Sequence, residues 1–165
     1  MTNLVSESEI APCFLFLLPY VTEDGFLKSK NEKVLTQAIK DYGISNYVIA
    51  YAYPHKAKSI SRTDIKNNIW YVEELISIIS PKAIVIVGEE PFLIFMGRKP
   101  KAIDVHATEV TKYMETPILS IMGCDYYFDR NEQGDRRYKA SIYREDWKFI
   151  REQYEKLVEV CYANL

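Results

Sequence analysis

Cysteine is scarce in this chain of 165 residues, and the three present, Cys13, Cys124 and Cys161, are far apart with no C-x-x-C pair. An odd, scattered set argues against a disulfide framework and a thiolate metal site, and fits a reducing intracellular compartment. Excess charge of one sign is missing too. The net charge is −2 although 27% of the residues are charged, so any nucleic-acid site has to be a local patch rather than a global basic field. Long hydrophobic runs are lacking as well: the apolar segment from Ala11 to Leu18 is far short of a membrane span. Glu7 and Glu9 precede it where a secretory signal needs a basic region. Glycine is scarce at six and tyrosine plentiful at thirteen, a number that suits half-buried positions and stacking surfaces. No internal repeat or low-complexity segment is present. The length fits one domain over 1–165, with residues 1–12 as a loose or capping arm.

Strand and helix signals alternate along the chain. Phe14 to Leu18 reads as a buried strand running into a Pro19-Tyr20 loop that continues to Glu23, Asp24, Gly25 and Phe26. Val34, Leu35, Ala38, Ile39 and Tyr42 recur at helical spacing over 31–42, and Gly43 stands where a left-handed stop is wanted. Tyr47 to Tyr53 is rich in β-formers and ended by Pro54. Thr63-Asp64 reads as the cap of a helix over 64–79, whose buried stripe is Ile65, Ile69, Val72, Ile76 and Ile79 and which Pro81 stops. Ala83 to Val87 is apolar on both faces, as a central parallel strand covered by helices must be. Gly88 allows a sharp exit into a short helix with Glu89 and Glu90 in its first turn, ending near Gly97. Weaker strands are expected around Ala102–Val110 and over Pro117–Met122. After a long polar loop, Trp147, Ile150, Tyr154, Leu157 and Cys161 mark a terminal helix over 144–161. The alternation predicts an α/β fold, a three-layer α/β/α sandwich with a mostly parallel central sheet.

In such a sheet, ligands gather at the loops leaving the carboxyl ends of the strands. Two of those loops are basic. His55, Lys56, Lys58 and Arg62 follow the second strand, and Arg130, Arg136, Arg137, Lys139 and Arg144 lie in or beside the last loop. Tyr126, Tyr127, Phe128, Tyr138 and Tyr143 interleave the second group and are suited to stacking on exposed bases. Against this, Asp125, Asp129, Glu132 and Asp135 dilute the charge toward an ordinary solvated flap. Glu23 and Asp24 read as a solvated or capping pair with catalysis as the alternative. His106, on a weak strand, reads as structural, and Cys124 as a small apolar filler. His55 reads as an exposed loop residue, with binding to a phosphate or base as the alternative.

The segment Pro19-Tyr20-x-x-Glu23-Asp24 resembles the second half of the G-E-A-P-G-x-x-E-D signature of the iron-sulfur branch of the uracil-DNA glycosylase superfamily. Pro81-Lys82-Ala83-Ile84-Val85-Ile86-Val87-Gly88 is similar to that family's P-K-x-x-x-x-x-G strand. The likeness covers roughly residues 13–160 in order and spacing, with the family's H-P-S wedge falling on Ile118 to Asp125. It implies a glycosylase-like sandwich and makes Pro19, Tyr20, Phe26, Tyr51 and His55 base-pocket candidates. Lys56, Lys58, Arg62, Arg130, Arg136, Arg137 and Lys139 become the DNA-facing residues. The departures matter as much. The signature's Gly-Glu falls on Phe16 and Leu17 and its last Gly on Tyr20. The base-reading amide falls on Ala50 or Tyr51, and the histidine on Gly123 or Cys124. Three scattered cysteines cannot replace the four that hold the family's cluster, so no cofactor and no metal are expected.

The resulting expectation is a catalytically degenerate glycosylase-like protein that binds DNA, with Glu23 and Asp24 the only candidates for residual chemistry. Domains of this kind are known as parts or partners of viral replication polymerases. The Lys-, Asn-, Ile- and Tyr-rich usage suits a virus of AT-rich coding, and hence an intracellular, cytoplasmic setting with no membrane partner. Two alternatives stand beside it: an active DNA glycosylase with relocated catalytic groups, and a protein-interaction module without DNA binding.

Overall fold

A computed structural model describes residues 13–21, 25, 27–56, 61–98, 106–123 and 136–163. The elements in chain order are β1 (Phe14–Val21), α1 (Lys30–Asp41), β2 (Tyr47–Lys56), α2 (Arg62–Ile79), β3 (Ala83–Val87), α3 (Glu89–Met96), β4 (Thr108–Tyr113), β5 (Thr116–Ile121) and α4 (Arg136–Ala163). The strands form one sheet of order β2-β1-β3-β5-β4, in which the first four are parallel and β4 runs antiparallel at the edge. The three-layer α/β/α sandwich read from the sequence is the fold observed.

Strict alternation along the strands makes two cores. Phe14, Phe16, Leu18, Tyr51, Val85 and Leu119 face α1 and α4, where Leu35, Ile39, Trp147 and Ile150 complete the layer. Leu15, Leu17, Val48, Ala52, Ile84 and Ile86 face the other way, onto Val72, Ile76 and Ile79 of α2 and Phe92 of α3. β3 lies between β1 and β5 and is buried along its whole length, as its two-faced apolar pattern demands.

Several boundaries differ from those the sequence suggests, each for a local reason. β2 runs through Pro54 to Lys56 instead of ending before the proline. It is an edge strand, where a missing N–H is tolerated, and its pairing with β1 shifts register just there. The other edge, β4, exposes Glu109 and Lys112, charges that discourage further strand addition. The strand expected at Ala102–Val110 is found at Thr108–Tyr113, and residues 101–105 lie outside the described ones. β4 and β5 are joined by Met114 and Glu115, whose φ values of 45° and 77° are the doubly left-handed geometry of a tight hairpin. α2 starts at Arg62 because Ser61 caps it, accepting from Asp64 N while the Asp64 carboxylate accepts from Ser61 N. Of its expected stripe, Val72, Ile76 and Ile79 are buried and Ile69 is 37% exposed, while the side chain of Ile65 lies outside the described ones. α4 begins at Arg136, so Arg136, Arg137, Lys139 and Arg144 belong to the helix rather than to the loop before it.

α4 is tied to the amino edge of the sheet near its far end. Tyr154 Oη accepts from Ser45 N and Asn46 N at 3.3 and 3.1 Å, just ahead of β2. The Arg151 guanidinium donates to the carbonyls of Tyr42 and Gly43 at 2.9 and 3.0 Å, closing the end of α1. No described helix is long and apolar enough to cross a membrane.

Ile84 and Ile86 are both wholly buried. Replacing either with alanine is expected to cost about 2–5 kcal/mol in denaturant unfolding. A loss below about 0.5 kcal/mol, the range of surface changes, would be incompatible with an interior strand.

Candidate functional site

The sheet order reverses between β1 and β3: β1 connects outward to β2 through α1 on one face, and β2 connects back to β3 through α2 on the other. Such a switch point opens a crevice beyond the carboxyl ends of the strands. Around that edge lie Pro19 and Tyr20 from β1, Tyr53 to Lys56 from β2, Gly88 after β3, and Met122 and Gly123 after β5. Because β4 is antiparallel, its start reaches the same edge and brings His106 and Ala107 with it.

Tyr20 and Tyr53 are direct cross-strand partners, both half-buried on the α1 and α4 side. Pro19 is half-buried and belongs by alternation to the opposite face. Tyr51 sits deeper, 5% exposed. Its hydroxyl donates to Glu32 Oε2 at 2.7 Å and accepts from Leu27 N at 3.0 Å, fastening the lead-in of α1 to β2. Burial, and then the Glu32 carboxylate, push that hydroxyl well above the usual tyrosine range. Leu17, where the resemblance expects a water-placing acid, is 0% exposed within the second core. Glu23, Asp24, Phe26, Lys58 and Arg130 lie outside the described residues.

The backbone at the centre of the edge is tight. Gly88 has φ 93° and ψ −174°, a region open essentially to glycine alone. A Cβ there would stand 3.4 Å from Gly123 Cα, and Gly88 N donates to Ile121 O at 3.1 Å. Glu89 and Glu90 follow in the first turn of α3, where carboxylates offset the positive helix end. Basic residues flank this acidic centre. On the backbone, Lys56 ends β2, Arg62 opens α2, and Arg136, Arg137 and Lys139 open α4.

The most elaborate polar cluster at this edge centres on Asp146 of α4, which is wholly buried. Its Oδ1 accepts from Ala107 N at 2.7 Å and lies 2.7 Å from His106 Nδ1, while Oδ2 accepts from Met122 N at 3.2 Å. The other imidazole nitrogen, Nε2, lies 2.8 Å from Glu145 Oε2. Burial alone would lower the His106 pKa, but the Glu145 hydrogen bond and the Asp146 charge outweigh it and raise it overall. His106 precedes β4 instead of lying on a strand, and the sequence reading missed its partners on α4. Asp146 and Glu145 are some 40 residues away in the chain, and the acidic pair stands just ahead of the apolar stripe that begins at Trp147. Among the described residues no group of three or more His, Cys, Asp or Glu is arranged to hold a metal ion, and Cys13 is buried.

No known protein family and no curated protein matches the chain.

Tyr51→Phe keeps the ring and removes the hydroxyl between Glu32 and Leu27 N. With both partners buried or partly so, a loss of about 1–3 kcal/mol is expected in thermal or denaturant unfolding. An unchanged stability would mean that water replaces the hydroxyl without penalty.

Proposed function

We propose that the chain is a glycosylase-like nucleic-acid-binding protein that has lost base excision and engages DNA through the flanks of its carboxyl edge. The observation that carries the reading is the burial of Leu17, which leaves an apolar, solvent-free side chain at the position the resemblance assigns to water activation. A water cannot be oriented there by any group of that residue, and excision depends on placing it within a fraction of an ångström. The Tyr51 hydroxyl, committed to Glu32 and Leu27, is likewise occupied in holding the fold. The sheet order supports a ligand at the carboxyl edge. The acidic start of α3 directs phosphates away from its centre and toward the basic starts of α2 and α4. DNA is the proposed partner, a replication protein a further one, and the reducing interior of a cell the proposed setting.

Counterion release makes the test quantitative. Replacing Lys56, Lys58, Arg136 and Arg137 together should weaken binding to a duplex or single-stranded oligonucleotide. On duplex DNA it should also flatten the log–log salt dependence by about 0.9 for each phosphate that is no longer neutralised. Unchanged affinity and slope would favour the protein-interaction module instead. The wild-type protein, in excess over an oligonucleotide with one central uracil and followed by alkali, is expected to give no strand scission. Prompt scission abolished by Glu23→Ala and Asp24→Ala would establish an active glycosylase.

A further inference from the structure

Both imidazole nitrogens of His106 face carboxylate oxygens, Asp146 at 2.7 Å and Glu145 at 2.8 Å. Only the doubly protonated ring can donate to both. A neutral ring sets a lone pair against one carboxylate, so one of the two hydrogen bonds has to open when the proton leaves. Asp146 is not free to move: it is wholly buried and held by the amides of Ala107 and Met122. Glu145 is exposed and has no such anchor, so it is the arm that swings away. Among the described residues, Glu145 and Asp146 of α4 are the charged groups facing the ring, and the β4 and β5 ends contribute backbone amides.

This cluster holds a particular half of α4. From Trp147 onward the helix is fastened by buried Trp147, Ile150 and Tyr154 and by the Arg151 hydrogen bonds to the end of α1. Before Asp146 the described side chains are half-buried at best, with Ile142 and Tyr143 covering the sheet and Ala140 and Arg144 exposed. We propose that His106 is a protonation-dependent latch that docks the first half of α4 against the carboxyl edge of the sheet. That half carries Arg136, Arg137, Lys139 and Arg144, so on the nucleic-acid reading above the latch also regulates how firmly this basic segment is presented.

The sign follows from linkage. A histidine whose pKa is raised in the folded state stabilises it fully below its unfolded value of about 6.5, and that contribution is lost as pH rises through the folded value. Amide hydrogen exchange, expressed as protection factors to remove the intrinsic pH dependence, reads the latch directly from about pH 5.5 to about 8.5. In the wild-type chain, protection at Ala140 to Glu145 is expected to fall by about tenfold for each unit of pKa shift while that at Tyr154 to Leu157 holds. His106→Gln should remove the pH dependence. Glu145→Gln, a change at an exposed position, should blunt it, because the amide can donate to a neutral ring or accept from a charged one. Equal pH profiles in wild type and in Glu145→Gln, or a parallel fall at both helix ends, would overturn the latch. Oligonucleotide affinity measured on the same samples should decline with protection. Loss of protection with no oligonucleotide binding at any pH would keep the latch and remove the nucleic-acid reading.

Discussion

β1 and β3 carry apolar side chains on both faces, and the rest of the molecule depends on covering them. Phe14 to Leu17 and Ala83 to Ile86 are wholly buried, which a sheet achieves only when helices lie on each side. Covering both faces requires crossovers in both directions, with α1 and α4 on one side and α2 and α3 on the other. Those opposed crossovers make the sheet order reverse between β1 and β3, the kind of switch point at whose carboxyl edge α/β sheets bind ligands. The candidate site is thus a consequence of the core rather than an addition to it. The same burial removes Leu17 from any role in chemistry.

Charged residues divide the edge by their positions along the backbone. Glu89 and Glu90 stand in the first turn of α3, while α2 opens with Arg62 and α4 with Arg136 and Arg137. α4 links the two edges of the sheet through chemically different ties. Arg151 and Tyr154 secure the amino edge through hydrogen bonds to backbone groups, and Asp146 secures the carboxyl edge through the His106 imidazole and two backbone amides. A helix fastened in this unequal way is stable as a core element and adjustable at the end nearest the proposed ligand.

What could be read from the sequence was what local pattern encodes. The five-residue run of β3 announced an interior strand, and Gly43 and Gly97, at φ 70° and 67°, marked helix ends because little else adopts that backbone readily. Where tertiary position decides, the pattern misleads. Pro54 ends a strand by propensity but is accommodated at an edge, and a chain alone does not say which strand is outermost. Met114-Glu115 is not a usual residue pair for a left-handed hairpin turn, so the local pattern sets β4 too early in the chain. Arg136 to Lys139 lack an apolar stripe and resemble loop. The partners of His106 were not legible, because hydrogen bonds across 39 and 40 residues leave no spacing signal. At the candidate site, Glu89 and Glu90 in the first turn of α3 are legible in the sequence, whereas the Asp146 cluster emerges only once the strands are ordered.

The central claim is that the flanks of the carboxyl edge form the ligand-facing surface. Backbone amide shifts of the isotope-labelled protein, followed while a short oligonucleotide is added, test it most directly. Changes should concentrate at Tyr53 to Lys56, at the first turn of α2 and along the first half of α4, with weaker ones at Gly88 to Glu90. Changes centred instead on the amino edge, around Ser45, Asn46 and Lys82, or no changes anywhere, would contradict it.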